Sequence, residues 1–198
     1  LTCNSTCSAL VDLDSSVLSP AAVGLSSAAD RDQLLAWLAG EDTQALHNRS
    51  ARRPYIHGDV VHSQPVALNY GSAGIYLFYG ANDGLFRAVR GGSDEQPGSD
   101  SGWEVWSFTA PEQYRALGEL YTNGSAASGA DFVDKQFFFD GPVGSYVEYR
   151  TDDDGAEQID KAYIYLAARR GGRYLYALDV SDPLDPRLLW RRSAEDGL

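Results

Sequence analysis

The sequence contains no apolar run of about 18 residues, so it predicts no membrane-spanning helix. Basic residues are also few: 16 lysines and arginines stand against 28 aspartates and glutamates, for a formal net charge of -12. This charge repels phosphate backbones and anionic headgroups, which argues against nucleic acid and bare membrane as partners. The N-terminus lacks the basic and apolar zones of a signal peptide, and we therefore expect an excised segment of a longer protein.

Cysteine and histidine are scarce as well. Cys3 and Cys7 are the two cysteines, their spacing is not that of a redox or zinc pair, and no second pair exists to complete a metal site. We expect them to close a small disulfide, which fits an export route. The three histidines have no recognisable catalytic setting, and the G-x-S-x-G, Walker and C-x-x-C-H motifs are absent, so the sequence predicts a non-enzymatic protein.

Residues 1–53 form a lead-in segment by composition. Residues 1–27 are small and polar without a sustained period, and they predict an irregular linker. An apolar stripe at helical spacing follows, and Gly40 stands where such a helix would end. The stripe consists of Leu34, Leu35, Trp37 and Leu38. We predict one short helix over about Ala29–Ala39, with this stripe packed on the neighbouring domain.

From residue 54 to residue 198 the pattern changes to short β-rich runs separated by glycine and aspartate, which is typical of sandwiches, barrels and propellers. A weaker helical pattern appears only around Pro111–Leu120. The predicted strands are Val60–His62, Pro65–Asn69, Ile75–Tyr79, Leu85–Val89, Glu104–Thr109, Phe137–Asp140, Val143–Arg150, Lys161–Ala167, Tyr174–Asp179 and Leu188–Arg191.

The β-rich part contains an internal repeat. Residues 74–89 resemble residues 162–179: each stretch is a strand, a glycine turn and a second strand that combines an aromatic residue, an alanine and an apolar residue. A tryptophan strand follows each copy, with Trp106 in the first and Trp190 in the second. Such repeats occur where sheets stack around an axis and cover one another, because one small sheet cannot bury both of its faces.

The repeat predicts a mainly β protein containing a partial, quinoprotein-like β-propeller of about two blades, preceded by one short α-helix. The copies are further apart than in compact propellers, and long insertions at Gly91–Gly102 and Pro111–Asp134 account for the excess. Two blades are fewer than the four or more that close a ring. We therefore expect partner blades outside this chain, or strands that pair in another way.

Four stretches of the chain carry a further pattern: Tyr55–Val66, Tyr79–Gly84, Phe138–Val143 and Tyr176–Pro183. They resemble the PilY/PilC family, large exported proteins of type IV pili whose C-terminal domain is an irregular propeller. The resemblance extends over about Arg31–Arg192, in the same order as in the family, and identifies the chain as the beginning of that domain. The His-Gly-Asp-Val-Val-His-Ser-Gln-Pro run from His57 is the specific one, whereas the repeats are common to quinoprotein-like propellers.

The resemblance implies an extracytoplasmic protein at the pilus tip, the outer surface or the periplasm of a Gram-negative bacterium. It implies a role in pilus assembly and in adhesion, with minor pilins or other pilus components and host or abiotic surfaces as partners. No Arg-Gly-Asp tripeptide is present, so integrin recognition through that motif is not supported. We expect the loops Gly91–Gly102 and Leu120–Asp134 to face partners.

Calcium is the candidate cofactor, because the family has a calcium loop of alternating acids. Asp152, Asp154 and Asp160 could supply hard oxygen ligands from one short loop. In an EF-hand-like register, however, Arg150 and Lys161 would occupy the first and last ligand positions. The sequence therefore favours a solvated hairpin turn here, with calcium binding as the alternative.

Two further patterns have a structural and a functional interpretation. His57, Asp59 and His62 could bind a transition metal, but on a strand His62 would point away from the other two. Hydrogen bonding at the entrance of a blade is the favoured interpretation. The aromatic residues could form a sugar or peptide surface, although aromatic residues at strand spacing favour a core. They are Tyr70, Tyr76, Phe78, Tyr79 and Phe137 to Phe139.

Three functions remain open from the sequence. The leading hypothesis is a binding module of a pilus tip or assembly protein. The alternative is a fragment of a dehydrogenase dependent on pyrroloquinoline quinone, which shares the repeat but needs a closed ring, a bound quinone, calcium and a catalytic carboxylate. A scaffold without a ligand is the third.

Overall fold

The structure is a computed structural model that describes residues 1–45, 51–92, 101–126, 135–151 and 153–197. The described part is mainly β, and its strands form three antiparallel sheets. The strands are β1 Thr2–Cys3, β2 Leu10–Val11, β3 Val66–Asn69, β4 Ile75–Gly80, β5 Phe86–Gly92, β6 Glu104–Phe108, β7 Val143–Thr151, β8 Glu157–Ala167, β9 Tyr174–Asp179 and β10 Arg187–Ser193. The helices are α1 Ala28–Leu38 and α2 Tyr114–Ala126.

Two of the sheets are simple meanders of four strands. Strands β3 to β6 form the first sheet and strands β7 to β10 form the second, each in chain order. All predicted strands except two lie in these sheets. The exceptions are Val60–His62 and Phe137–Asp140, which cross the ends of the sheets without strand pairing. The prediction was wrong there. In the second segment Phe138 N–H donates to Asn82 Oδ1 and Asp140 N–H donates to Ala168 O, so these groups bind turns instead. In the first segment Val60 and Val61 are exposed, at 40% and 51%, which leaves their backbone groups open to solvent.

The internal repeat corresponds to the two sheets strand for strand. Ala88 in β5 pairs with Phe78 in β4 and with Trp106 in β6. In the second sheet Ala177 in β9 pairs with Tyr165 in β8 and with Trp190 in β10. The alanine leaves room for two large aromatic side chains beside it, since residues directly opposite one another share a face. The stretches around Phe86 and Tyr176 therefore hold equivalent positions, each in the third strand of its sheet. Their prediction as inner strands of neighbouring sheets around an axis stays a prediction.

The sheets also share an irregularity in their last strands. Val105 in β6 and Leu189 in β10 are each an extra residue immediately next to the tryptophan, where the register of the strand pair shifts. A bulge of this kind bends its strand and increases the local twist. Two sheets that bulge at the same position have the same shape, which suits them to pack in a repeated manner.

The packing between the sheets is head to tail. The face of the first sheet that carries Ala88, here called the Ala88 face, also carries Phe108, because Phe108 pairs with Phe86 two residues from Ala88. The ring of Phe108 lies 5.1 Å from that of Tyr176, which points to the opposite side of β9 from Ala177. The Ala88 face therefore packs on the back of the second sheet, and the equivalent Ala177 face points away from the first sheet.

Phe139 lies between the sheets although it belongs to neither of them. Its ring is within 5.8 Å of Phe86 and 5.7 Å of Phe108 from the first sheet. From the second sheet, Tyr174 and Tyr176 approach it at 6.1 Å and 6.3 Å. Most of these pairs are edge-to-face, the geometry that aromatic quadrupoles favour. The segment that was predicted as a strand thus supplies a central side chain of the core.

A second core forms around the helices. Ser27 begins α1, where its hydroxyl accepts from Asp30 N–H at 3.1 Å, and Gly40 follows the helix end at a φ of 96°. Leu34 is fully buried, and Trp37 contacts Tyr121 of α2 edge-on at 5.7 Å. The helix predicted over about Ala29–Ala39 and the packing of its stripe are confirmed. The weaker pattern at Pro111–Leu120 corresponds to a 3-10 turn followed by α2.

Residues 1–27 are not the irregular linker that their composition predicts. They include the β1–β2 pair, and Leu18 and Val23 are buried in the helical core. Gly118 in α2 allows this packing, because a Cβ there would lie 1.7 Å from the Val23 carbonyl oxygen. Isolated apolar residues in a polar stretch carry no periodic signal, so the sequence could not reveal their burial.

Candidate functional site

Three of the stretches that resemble the PilY/PilC family converge at one place, here called the motif junction. The turn between β4 and β5 lies at its centre. Gly58 N–H donates to Asp83 Oδ2 at 2.8 Å, and His62 Nδ1 lies 2.9 Å from Asp140 Oδ2. Asn82 joins the two parts, because its Oδ1 accepts from Phe138 N–H and its Nδ2 donates to Asp140 Oδ1 at 3.4 Å. Segments far apart in the chain are thus tied to one tight turn.

A buried charge network supports that turn. Arg87 is 3% exposed and donates to both carboxylate oxygens of Asp83, at 3.0 Å and 2.6 Å. Its Nε donates to Glu104 at 2.9 Å. Burial opposes the charge on the guanidinium, but the hydrogen bond to Asp83 and the negative charges of Asp83 and Glu104 outweigh it and raise the pKa of Arg87. Asn82, Asp83 and Gly84 form the tight turn between β4 and β5, and Asp83 also neutralises the charge of Arg87.

Asp140 is the buried acid of the junction. Its side chain is fully buried and has three polar neighbours: His62, Asn82 and, at 4.0 Å, Arg169. A buried carboxylate requires hydrogen bonds or opposite charges of this kind, because they offset the free-energy cost of removing its charge from water. Arg169 has a φ of 52°, in the left-handed region that costs energy for a residue with a side chain. This backbone conformation orients Arg169 from the turn after β8 toward the junction.

The candidate transition-metal ligands do not converge. His57 Nε2 lies 2.8 Å from Tyr79 Oη, Asp59 pairs with Lys135, and His62 pairs with Asp140. Across the part of the chain that the structure describes, no group of three or more histidine, cysteine, aspartate or glutamate side chains could hold a metal ion. The interpretation of these residues as hydrogen-bonding groups is confirmed.

The candidate calcium ligands lie at the tip of the β7–β8 hairpin. Asp152 lies outside the described residues, whereas Asp154 and Asp160 are described and exposed. Thr151 pairs with Glu157 across the tip, so the predicted hairpin turn is confirmed. Asp160 lies 3.6 Å from Arg150, which competes with a cation for that carboxylate. Calcium binding at Asp152, Asp154 and Asp160 stays a prediction.

A calcium titration of the chain by calorimetry tests this site. We expect binding no tighter than about 0.1–1 mM, because the two described acids are exposed and Asp160 is already paired. Asp154→Asn should abolish any such binding, and Asp185→Asn, an exposed acid elsewhere, should leave it unchanged. Calcium binding at micromolar concentration in this titration would contradict the expectation and show that the loop is a calcium site.

The predicted partner surfaces are described only in part. Of the loop Gly91–Gly102, residues 93–100 lie outside the described residues, and so do residues 127–134 of Leu120–Asp134. The core interpretation of the aromatic residues is confirmed for four of them. Tyr76, Phe78, Phe138 and Phe139 are at most 1% exposed. Tyr70, Tyr79 and Phe137 are partly buried.

The open aromatic surface lies instead on the second sheet. On the Ala177 face, Trp190 is 40% exposed and Tyr146 is 46% exposed, whereas the equivalent Trp106 is 8% exposed. Trp106 Nε1 donates to Pro183 O, at 2.8 Å, in the loop before β10. The Ala177 face thus repeats the row of aromatic residue, alanine and tryptophan found on the buried Ala88 face, without a cover among the described residues. The sequence repeat contains this information, but only the packing direction reveals which copy is uncovered.

The disulfide turn forms the wall of a cleft. Cys3 and Cys7 are joined in the turn between β1 and β2, and Cys3 is 2% exposed. Glu112 and Arg191 lie opposite this turn and form an ion pair with an N–O distance of 2.6 Å. Sequence reasoning found the cysteines but missed Glu112 and Arg191, which are 79 residues apart and have no motif.

Comparisons with known proteins give one informative relative. No family model and no solved structure matches the chain. Among the described residues, neither helix is long and apolar enough to span a membrane. The chain is 25% identical over 190 residues to a protein of Xylella fastidiosa (strain Temecula1 / ATCC 700964) described as a type IV pilus biogenesis factor PilY1 homolog. The match covers 83% of this chain and 14% of the relative, so this chain is similar to a small part of a pilus biogenesis factor.

Proposed function

We propose that this chain is a non-enzymatic, extracytoplasmic part of a type IV pilus protein that acts in pilus assembly and surface adhesion. The observation that carries the proposal is the similarity to the pilus biogenesis factor over 83% of the chain. The motif junction supports it, because the stretches that resemble the PilY/PilC family are the ones that meet there. Minor pilins or other pilus components, and host or abiotic surfaces, are the proposed partners.

We further propose that the two meander sheets are the first blades of a propeller. Head-to-tail packing supports this architecture, because each added sheet presents the same face to the next one and the stack continues until it closes. The first strands of the sheets, β3 and β7, also lie near each other, as inner strands do around an axis. The relative is much longer than this chain, which leaves room for the additional blades of a closed ring.

The functional proposal is tested by deleting the gene in its host. We expect fewer surface pili by electron microscopy and weaker adhesion, both restored by the wild-type gene. A deletion strain with normal pili and normal adhesion would contradict the proposal. Reconstitution with pyrroloquinoline quinone is the control for the dehydrogenase alternative, and we expect neither a bound-cofactor spectrum nor reduction by alcohols.

The propeller proposal predicts an effect that depends on chain length. In a chain extended by the proposed next blade, Trp190→Ala should cost about 3–5 kcal/mol, because that blade would bury Trp190 as the second sheet and its loop bury Trp106. In the 198-residue chain the same change should cost less than about 1 kcal/mol, since Trp190 is 40% exposed there.

Chemical denaturation of both proteins measures the difference. Trp103→Ala is the matched control, because Trp103 is 67% exposed and lies outside the repeat, and it should have a small effect in both. Equal effects of Trp190→Ala in the two proteins would contradict the propeller.

A further inference from the structure

A cleft of about 660 Å³ opens between the disulfide turn and the end of β10. Its size is within the range of small-molecule and peptide sites. The walls are more apolar than polar: Cys3, Cys7, Val11, Val17, Pro111 and Tyr114 line them together with the polar side chains of Asn4, Ser5, Thr6 and Ser16. The floor carries Glu112 and Arg191. The cleft therefore combines an apolar enclosure with a few converging polar groups.

Each carboxylate oxygen of Glu112 in the floor already accepts one hydrogen bond. Glu112 Oε1 accepts from Arg191 Nε at 2.6 Å, and Glu112 Oε2 accepts from Tyr176 Oη at 2.7 Å. Burial and then the hydrogen bond to Glu112 raise the pKa of Tyr176, so its phenol stays a donor. In the wall, Tyr114 Oη is engaged with Thr2 Oγ1 at 2.6 Å. A ligand in the cleft thus meets a carboxylate that is already satisfied on both oxygens.

Donor capacity remains on Arg191. A guanidinium has five N–H groups, of which Glu112 takes the one on Nε while Tyr176 Oη stands near another. Its side chain is 29% exposed and lines the cleft. Burial opposes its charge, but Glu112 outweighs that effect and raises the pKa of Arg191, so the group stays cationic.

The disulfide holds the opposite wall in place. Cys7 has a φ of 48°, a strained conformation for a residue with a side chain, and its sulfur lies 3.8 Å from Tyr176 Oη. The turn is therefore fixed directly beside the hydrogen-bonded floor. A ligand of this cleft therefore needs an anionic group that accepts hydrogen bonds from Arg191, joined to an apolar part that fits between the walls.

We propose that this cleft binds a carboxylate carried on an apolar body, with the carboxylate on the terminal nitrogens of Arg191 and the apolar part against the disulfide turn and Pro111. The C-terminal residue of a peptide chain and a short aliphatic acid share this chemistry. The site does not depend on the proposed pilus function, and it is distinct from the motif junction.

Nuclear magnetic resonance titrations of the chain with three probes test the proposal. The probes are N-acetyl-valyl-leucine as the free acid, the same dipeptide as its C-terminal amide, and hexanoate. We expect the free acid to shift the Arg191 Nε–H resonance and to bind about tenfold more tightly than the amide, because a charge-assisted hydrogen bond is lost in the amide. Equal affinity of acid and amide would overturn the proposal without any variant.

Variants on one strand supply the matched comparison. Arg191→Gln should weaken binding of the free acid about tenfold. Arg192→Gln, on the next residue and the opposite face of β10, should leave it unchanged. An unchanged affinity in folded Arg191→Gln would contradict the assignment. If hexanoate binds as tightly as the dipeptide acid, the site is supported and its ligands are small acids. If hexanoate binds much more weakly, the site is one for the C-terminal ends of peptides.

Discussion

Replacing Arg87 by leucine is expected to lower the free energy of unfolding by about 3–5 kcal/mol, the cost of breaking a buried ion pair on one side. Arg87 is 3% exposed, and its guanidinium bridges Asp83 and Glu104. Without it, the donors left to the Asp83 carboxylate among the described residues are the N–H groups of Gly58 and Leu85. Its negative charge then stays in a site that excludes water. Urea denaturation followed by circular dichroism measures the loss.

Arg187→Leu is the matched control, because Arg187 also lies in a strand beside an aspartate. Its side chain is 75% exposed and that of Asp185 is 64% exposed, so solvent screens the pair and we expect a change below about 1 kcal/mol. The double change of Arg87 and Asp83 to leucine should cost less than the sum of the single changes. A cost below about 1 kcal/mol for Arg87→Leu would mean that water reaches this network.

Phe139→Ala is expected to cost about 3–5 kcal/mol, the range for truncating a buried phenylalanine. The ring is 1% exposed and contacts aromatic side chains from both sheets, so its removal leaves a cavity between them. The chain packs closely around Phe139, because a Cβ on Gly80 would lie 2.1 Å from the Phe139 carbonyl oxygen. We expect lower stability in urea together with a loss of near-ultraviolet dichroism from the aromatic cluster.

Phe137 provides the comparison for this prediction. Its ring is partly buried and lies 5.1 Å from the Arg170 guanidinium, so Phe137→Ala should cost about 1 kcal/mol. Similar losses for the two variants would show that the sheets close over the gap at Phe139. In that case the sheets would hold together without the ring.

Local sequence patterns were sufficient for the strands of the two sheets and for α1. Ile75–Tyr79 and Tyr174–Asp179 carry β-forming residues between glycine turns, and these signals depend only on neighbours in the chain. Val60–His62 has the same composition but is not a strand. Val60 and Val61 are exposed, at 40% and 51%, and His62 pairs with Asp140 through its side chain, so no sheet edge pairs with this segment among the described residues.

The candidate sites divide in the same way. The sequence singled out Cys3, Cys7 and the aspartates of the β7–β8 tip, because the members of each set lie within a few residues of one another. It could not bring Glu112 to Arg191, which are 79 residues apart, or His62 to Asp140, which are 78 residues apart. Neither pair has a spacing rule, because their distance is set by how two sheets and a turn stack.

The sequence by itself determined the mainly β class, the repeat of two sheets, the short helix α1 and the resemblance to pilus proteins, because strand alternation, glycine turns and helical stripes are written locally. Only the tertiary structure decided that the Ala88 face packs on the second sheet while the Ala177 face points away from the first, that the lead-in segment packs into the core, and that a cleft containing Arg191 opens beside the disulfide turn. These features depend on which surfaces pack against each other. The hydrophobic effect is not directional, so the order of apolar residues in the chain does not show which surfaces will meet.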